Sequence, residues 1–315
     1  MRLMVKKHQK LKASWLRAIY LILVGILIYI LLSQISSLKG SAHYLRISHI
    51  DDDLLAVILT AVTYLFSSLT YYFLATKRLR YVRTVIVELG INTLNRLLPA
   101  GIGGLGANYL YLTKSKHNKT EAVSIVALNN ILGLIGNALL LVVLLITVKA
   151  NKLSVGKLNI KLVVALGILV GVCLIVLCFL PKIRTKIGVA VRAFLFQVAS
   201  YKKHKFKLFL GLVSQICLTL ANVSALFFSL HAVNSHLALS SVILVYSFAI
   251  SVGSIIPTPG GVGSVDAGLI GALVAYNLPL RQAVAGILVF RLINFWLPLI
   301  LGIPALVYSR RKAYL

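Results

Sequence analysis

The sequence predicts an all-α, polytopic membrane protein, and three observations carry that reading. Hydrophobic residues make up 59% of the 315 residues. Mean hydropathy is +0.95. Charged residues make up only 12%, about half the share with which a soluble domain covers its surface. The apolar residues also gather in runs of about 20, the length a helix needs to cross a bilayer. A soluble enzyme, a secreted disulfide scaffold and a disordered chain are excluded.

In chain order the runs predict about eight spanning segments, at 16–35, 54–75, 84–98, 121–148, 161–180, 208–230, 239–256 and 282–307. The first follows Arg2, Lys6, Lys7, Lys10 and Lys12. It is too long for a signal-peptide core and lacks a small-residue cleavage site, so it reads as a retained helix. Two further apolar pieces, 103–112 and 264–277, follow proline and glycine clusters and are too short to cross alone. They read as second limbs of two re-entrant helical hairpins, 84–112 and 239–278. Irregular backbone at membrane depth is tolerated only inside protein or beside a water-filled cavity, so these hairpins are the places to look for function.

The charge distribution orients the chain. Net charge is +27, with 33 basic residues against six acids. The basic residues lie almost wholly between apolar runs, mostly in the N-terminal flank, the 76–83 loop, the 181–207 linker and the C-terminal tail. Positive-inside counting therefore predicts cytoplasmic N- and C-termini. The pattern fits anionic phospholipid as partner and argues against nucleic acid. The 181–207 linker alternates basic and apolar residues as an amphipathic surface helix does. It is the one feature that suggests a scaffold for envelope enzymes.

In this topology the two hairpins open from opposite faces, as in inverted-repeat transporters. Leu98-Pro99-Ala-Gly101-Ile-Gly103-Gly104 is echoed by Ile256-Pro257-Thr-Pro259-Gly260-Gly261-Val-Gly263. Ala122-Val123 and Ala283-Val284 follow, and a polar residue comes eight positions after each alanine, Asn130 and Arg291. The chain reads as one integral membrane domain, 1–315, with pseudo-repeat halves at about 12–150 and 160–310.

Several motifs carry no chemistry. Gly101 to Gly106 spells GxGxxG, but no βαβ unit surrounds it, and no Walker lysine follows. Cys173, Cys178 and Cys217 lie in apolar runs and read as buried hydrophobes. His231 and His236 read as loop residues. No cofactor, metal site or catalytic residue is expected. Asp51-Asp52-Asp53 reads as a solvated helix start, with a metal or amine-headgroup site as the alternative.

The second cluster is the stronger signal. Its prolines end a helix and its glycines turn the chain. Ser264 can then cap the next short helix, with Asp266 in its first turn. Such an N-terminus can receive an anion such as a lipid phosphate, or be satisfied by Asp266 itself. Arg291 falls about ten residues into the last run, roughly mid-bilayer at 1.5 Å per residue. A charge there needs a partner, and Asp266 is the natural one. Asn294 follows one turn on. These residues, with Gly260 and Gly261, form either a headgroup site or a structural ion pair. Glu88, Asn92 and Arg96 share a stripe of the third run, and Asn129, Asn130 and Asn137 sit in the fourth. They line either a polar groove or an interhelical hydrogen-bond network.

The Pro257-Thr-Pro-Gly-Gly-Val-Gly-x-x-Asp266-Ala-Gly268 run, with Arg291 in the helix beyond, resembles the membrane region of the lysylphosphatidylglycerol synthase/flippase family. The resemblance covers about residues 12 to 308. Where the family usually has Glu after its second glycine pair, this chain has Asp266. Where the first half usually has an acid and an arginine, Leu105 and Asn108 stand. A later Glu-Arg pair is Asn129-Asn130. Charge has left the first half-site.

The resemblance implies a bacterial cell membrane and a role with phosphatidylglycerol. Full-length relatives join this module to a soluble domain that transfers lysine from lysyl-tRNA to the lipid. The membrane module moves the product outward, which resists cationic antimicrobial peptides. The chain ends at Leu315, so that domain is not expected here. The leading expectation is translocation of phosphatidylglycerol or its lysyl derivative. The alternative is the membrane part of a lysyltransferase with a separate aminoacyltransferase subunit. Self-association as a homo-oligomer is compatible with either.

Overall fold

The computed structural model describes residues 25, 49–98, 101–147, 205–255 and 258–315. The expected spans 16–35 and 161–180 and nearly all of the 181–207 linker lie outside the described residues.

Among the described residues nine α-helices follow one another, and no strand occurs. They are α1 (Ile50–Leu74), α2 (Tyr81–Leu97), α3 (Ile102–Lys114), α4 (Lys119–Thr147), α5 (Lys205–His231), α6 (Leu239–Ile255), α7 (Ser264–Ala275), α8 (Leu280–Arg291) and α9 (Leu297–Arg311). A π-helical turn, Leu292–Trp296, fuses α8 and α9 into one rod. Lys205 and Lys207, expected in the linker, begin α5.

Among the described residues, four helices are long and apolar enough to cross a membrane: α1, α4, α5 and the α8–α9 rod. The segments expected at 84–98 and 239–256 are shorter than these four. There α2 and α6 are 17 residues each, about 26 Å of helix against a core of about 30 Å. Each instead packs on the short helix that follows it, α3 or α7. The limbs of each expected hairpin thus pack against each other.

Local chemistry sets the boundaries. Asp51, Asp52 and Asp53 occupy the first turn of α1, where carboxylates favour the helix dipole. Leu98 turns extended after α2, as a residue before proline must. Asn118 and Glu121 cap α4 reciprocally: Asn118 Oδ1 accepts from Glu121 N–H (2.7 Å), and Glu121 Oε2 accepts from Asn118 N–H (3.0 Å).

Packing divides into two main apolar clusters. One gathers Leu74, Val87, Ile91, Tyr111, Leu112 and Ile125 around the first hairpin. The other gathers Leu226, Val245, Leu269, Leu273 and Ile287 around the second. Helix α1 runs along α5, and α9 runs along α2. The latter contact is backbone-close: a Cβ on Gly90 would sit 2.8 Å from the Leu306 backbone, and one on Gly302 would sit 2.7 Å from Leu89 O. Small residues permit such approach between membrane helices. Outward faces are apolar, with Leu134, Val143, Phe209, Ile300 and Leu301 exposed, as lipid-facing surfaces require.

Candidate functional site

The second glycine cluster builds a cage around Arg291. Thr258 is extended, and Pro259–Gly261 form one 3-10 turn. Gly260 and Gly261 have φ of +59° and +71°, left-handed values that favour glycine. The turn aims two carbonyls at α8. Arg291 Nη1 donates to Gly260 O and Nη2 to Gly261 O, each at 3.0 Å. Arg291 Nε donates to Asp266 Oδ1 at 2.5 Å. Arg291 is 7% exposed. Every guanidinium nitrogen therefore has an acceptor, and the buried charge is paired as it must be.

Asp266 serves two partners. Its other oxygen, Oδ2, accepts from Gly263 N–H at 3.3 Å. The cap position of α7 is therefore Gly263, not the expected Ser264. Glycine adopts the φ of +94° found there, which serine rarely can. Ser264 is instead the first helical residue, and its hydroxyl bonds Thr258 Oγ1 at 2.8 Å.

Asn294 stands apart from this cage. Its Nδ2 donates to Asn222 Oδ1 of α5 at 3.1 Å. Its carbonyl is the more informative atom. Pro298, four residues on, has no N–H to return to it. Arg96 Nη2 of α2 donates there instead, at 2.5 Å. Arg96 Nη1 reaches Asn92 O at 3.4 Å. The guanidinium carbons of Arg96 and Arg291 both lie within 6 Å of the Phe295 ring centroid, at 5.9 and 5.8 Å, in cation–π range. Gly260 also fits tightly here: a Cβ on it would lie 2.9 Å from Arg96 O and would strike the Phe295 ring. Arg96, Phe295 and Gly260 thus form a seam where the two hairpins meet.

The first hairpin encloses a cavity of about 180 Å³. Ser67, Glu88, Asn92, Asn95, Asn108, Asn129 and Asn130 supply its polar wall, and Leu105, Gly101 and Gly104 lie beside the turn. Glu88 is 2% exposed, and Ser67 Oγ donates to its Oε2 at 2.7 Å. Of the expected groove, Glu88, Asn92 and Asn130 line this cavity. Arg96 is not among its lining residues, being turned to the seam. Asn129 receives Gln215 Nε2 at 2.7 Å, and Asn137 receives Ser247 Oγ at 3.0 Å.

Sequence reading missed several members. Ser67 carries no motif, and Gln215 and Asn222 act from a distant helix. Phe295 looks like any apolar residue of the last run. The one available signal was Pro298, which marks Asn294 as a carbonyl in need of a donor.

The family model described as the lysylphosphatidylglycerol synthase TM region matches residues 12–302. The chain belongs to that family. No curated protein matches it.

Proposed function

We propose that this family member moves phospholipid between the leaflets of a bacterial cell membrane, with phosphatidylglycerol or its lysyl derivative as cargo. The seam between the hairpins is the observation that carries the reading. It puts a paired arginine inside a bundle whose outer faces are apolar. A headgroup could pass there while its acyl chains stay in lipid.

The chemistry follows from what holds Arg291. Asp266 and the carbonyls of Gly260 and Gly261 are acceptors. If the turn moves away from α8, the guanidinium needs a replacement anion. A lipid phosphate accepts bidentate arginine bonds well. Asn294 and Arg96 would then shift with the seam. Orientation with both termini cytoplasmic rests on the basic loops.

A second reading takes its support from the family description, which names a synthase. The chain would be the membrane part of a phosphatidylglycerol lysyltransferase that works with a separate catalytic subunit. One experiment separates the two. The purified chain is reconstituted in liposomes with fluorescent phosphatidylglycerol and lysylphosphatidylglycerol, and exposure at the outer leaflet is scored by quenching. Protein-dependent movement of either lipid, lost in Arg291→Ala, is expected. Absence of movement, or movement unchanged in Arg291→Ala, contradicts the translocation reading or its site. Lysine transfer from lysyl-tRNA to lipid by the chain alone would favour the synthase reading without a separate subunit.

A further inference from the structure

The cavity of the first hairpin holds two buried acceptor atoms that lack a partner and no cationic side chain. Glu88 Oε1 and Asn108 Oδ1 have no hydrogen-bond partner among the described residues. Both side chains are buried, at 2% and 5% exposure, and both line the cavity. Asn92 and Asn130 each use one amide hydrogen on their own helix. Asn92 Nδ2 donates to Glu88 O at 3.0 Å, and Asn130 Nδ2 donates to Val126 O at 2.8 Å. Their amide oxygens make no hydrogen bond among the described residues and are free to accept from, or ligate, a group in the cavity. No lysine or arginine lines it, and Arg96, on the same stripe of α2, is turned to Asn294 O.

Two unpartnered acceptors cannot satisfy each other, and leaving them so is costly. An ionised carboxylate in a membrane interior is costlier still unless a cation accompanies it. A phosphate or other anion would meet the same carboxylate and be repelled. The ligand must bring positive charge.

The amount of charge follows from the wall. Glu88 is the only carboxylate among the lining residues. Among the described residues, no three His, Cys, Asp or Glu side chains gather as a metal cluster would need. Divalent ions usually call on more carboxylates or on substrate phosphates. Carboxylate and amide oxygens are hard donors, suited to hard cations.

We propose that this cavity is a monovalent-cation site, with Glu88 as its counter-charge, and that it takes a proton or a sodium ion. A proton would reside on Glu88 Oε1 and be shared with an amide oxygen. A sodium ion would lie between Oε1 and the amide oxygens of Asn108, Asn92 and Asn130. The site does not depend on lipid being the cargo, and its occupancy is measurable without lipid movement.

The test uses the purified full chain in detergent, with two readouts. Retention of radioactive sodium reports the ion. Infrared titration of the carboxyl stretch reports the proton. The expected result is saturable retention of one sodium ion per chain, or a protonated carboxyl that titrates. Either signal disappears in Glu88→Gln. Asn108→Leu keeps the charge and weakens the sodium signal or moves the carboxyl titration, which holds the test open if Glu88→Gln misfolds. A signal equal in wild type and Glu88→Gln overturns the proposal. So does a Glu88 that stays ionised with no sodium retained. Methylammonium binding where sodium does not bind also overturns it, and assigns the cavity to an amine headgroup.

Discussion

Both hairpins break a helix at a glycine cluster, yet they spend their polar groups differently. In the second, each polar atom of Arg291 is matched: Asp266 takes Nε, and the turn carbonyls take the two terminal nitrogens. In the first, Glu88 keeps one oxygen unpartnered beside a cavity rimmed with amides. One hairpin is a closed lock, and the other is an open seat. Arg96 joins them: it belongs to the first hairpin and bonds a carbonyl beyond the second. A buried pair holds a conformation, whereas an unpartnered buried acceptor leaves room for a ligand.

The sharpest way to break this comparison is to remove one charge from each hairpin. Arg291→Met leaves the partly buried Asp266 and two turn carbonyls without their cation and should destabilise the protein by about 3 kcal/mol. Glu88→Gln keeps the shape and the Ser67 contact, so its unfolding free energy should change by less than about 1 kcal/mol. Thermal unfolding in detergent micelles measures both. Equal losses would show that Glu88 is as structurally committed as Arg291.

Glycine substitutions sharpen the same contrast at a smaller scale. Gly260→Ala forces a left-handed φ on alanine and pushes a methyl against Arg96 O and Phe295. It should cost about 1–3 kcal/mol and slow any process that moves the seam. Gly104→Ala meets only the Asn95 side chain, at 2.9 Å for its amide oxygen. That side chain can swing away, so the change should lie within about 1 kcal/mol of zero. Chemical denaturation of the two variants side by side checks the difference.

The smallest expected effect lies at the turn between α3 and α4. His117 Nε2 accepts from Lys77 N–H at 3.1 Å, and Nδ1 is 3.1 Å from Leu112 O. This pattern requires a neutral ring with its proton on Nδ1. Burial lowers the His117 pKa below its ordinary 6.5. The unfolded chain then takes up the proton first, so the contribution is full above about pH 6.5 and is lost as pH falls through the window below it. The unfolding midpoint should drop on acidification in this window, and His117→Gln should flatten that slope.

Much of the fold was legible because membrane constraints are severe. Runs of apolar residues and the Pro99 and Pro257 breaks mark the hairpins. Asp266 was readable as the partner of Arg291 because so few acids exist. What escaped reading was set by three-dimensional proximity. Nothing near Asn294 in the chain announces Asn222, and nothing near Asn129 announces Gln215. Ser264 looked like a cap because serine usually is one, but the glycine before it could take the strained angle. Leu105 and Asn108 suggested a first half-site without charge. Glu88, from the other limb of the hairpin, is the carboxyl that lines the cavity there.

The most direct test of the account asks whether the seam must open for lipid to move. Leu97 and Val262 belong to one apolar cluster with Phe295, on opposite sides of that seam. Cysteines at these two positions, with the three native cysteines replaced by serine, can be joined by a short cleavable cross-linker in proteoliposomes. The account predicts that lipid movement stops on cross-linking and returns on cleavage. Movement that continues at the same rate in the cross-linked protein would contradict it.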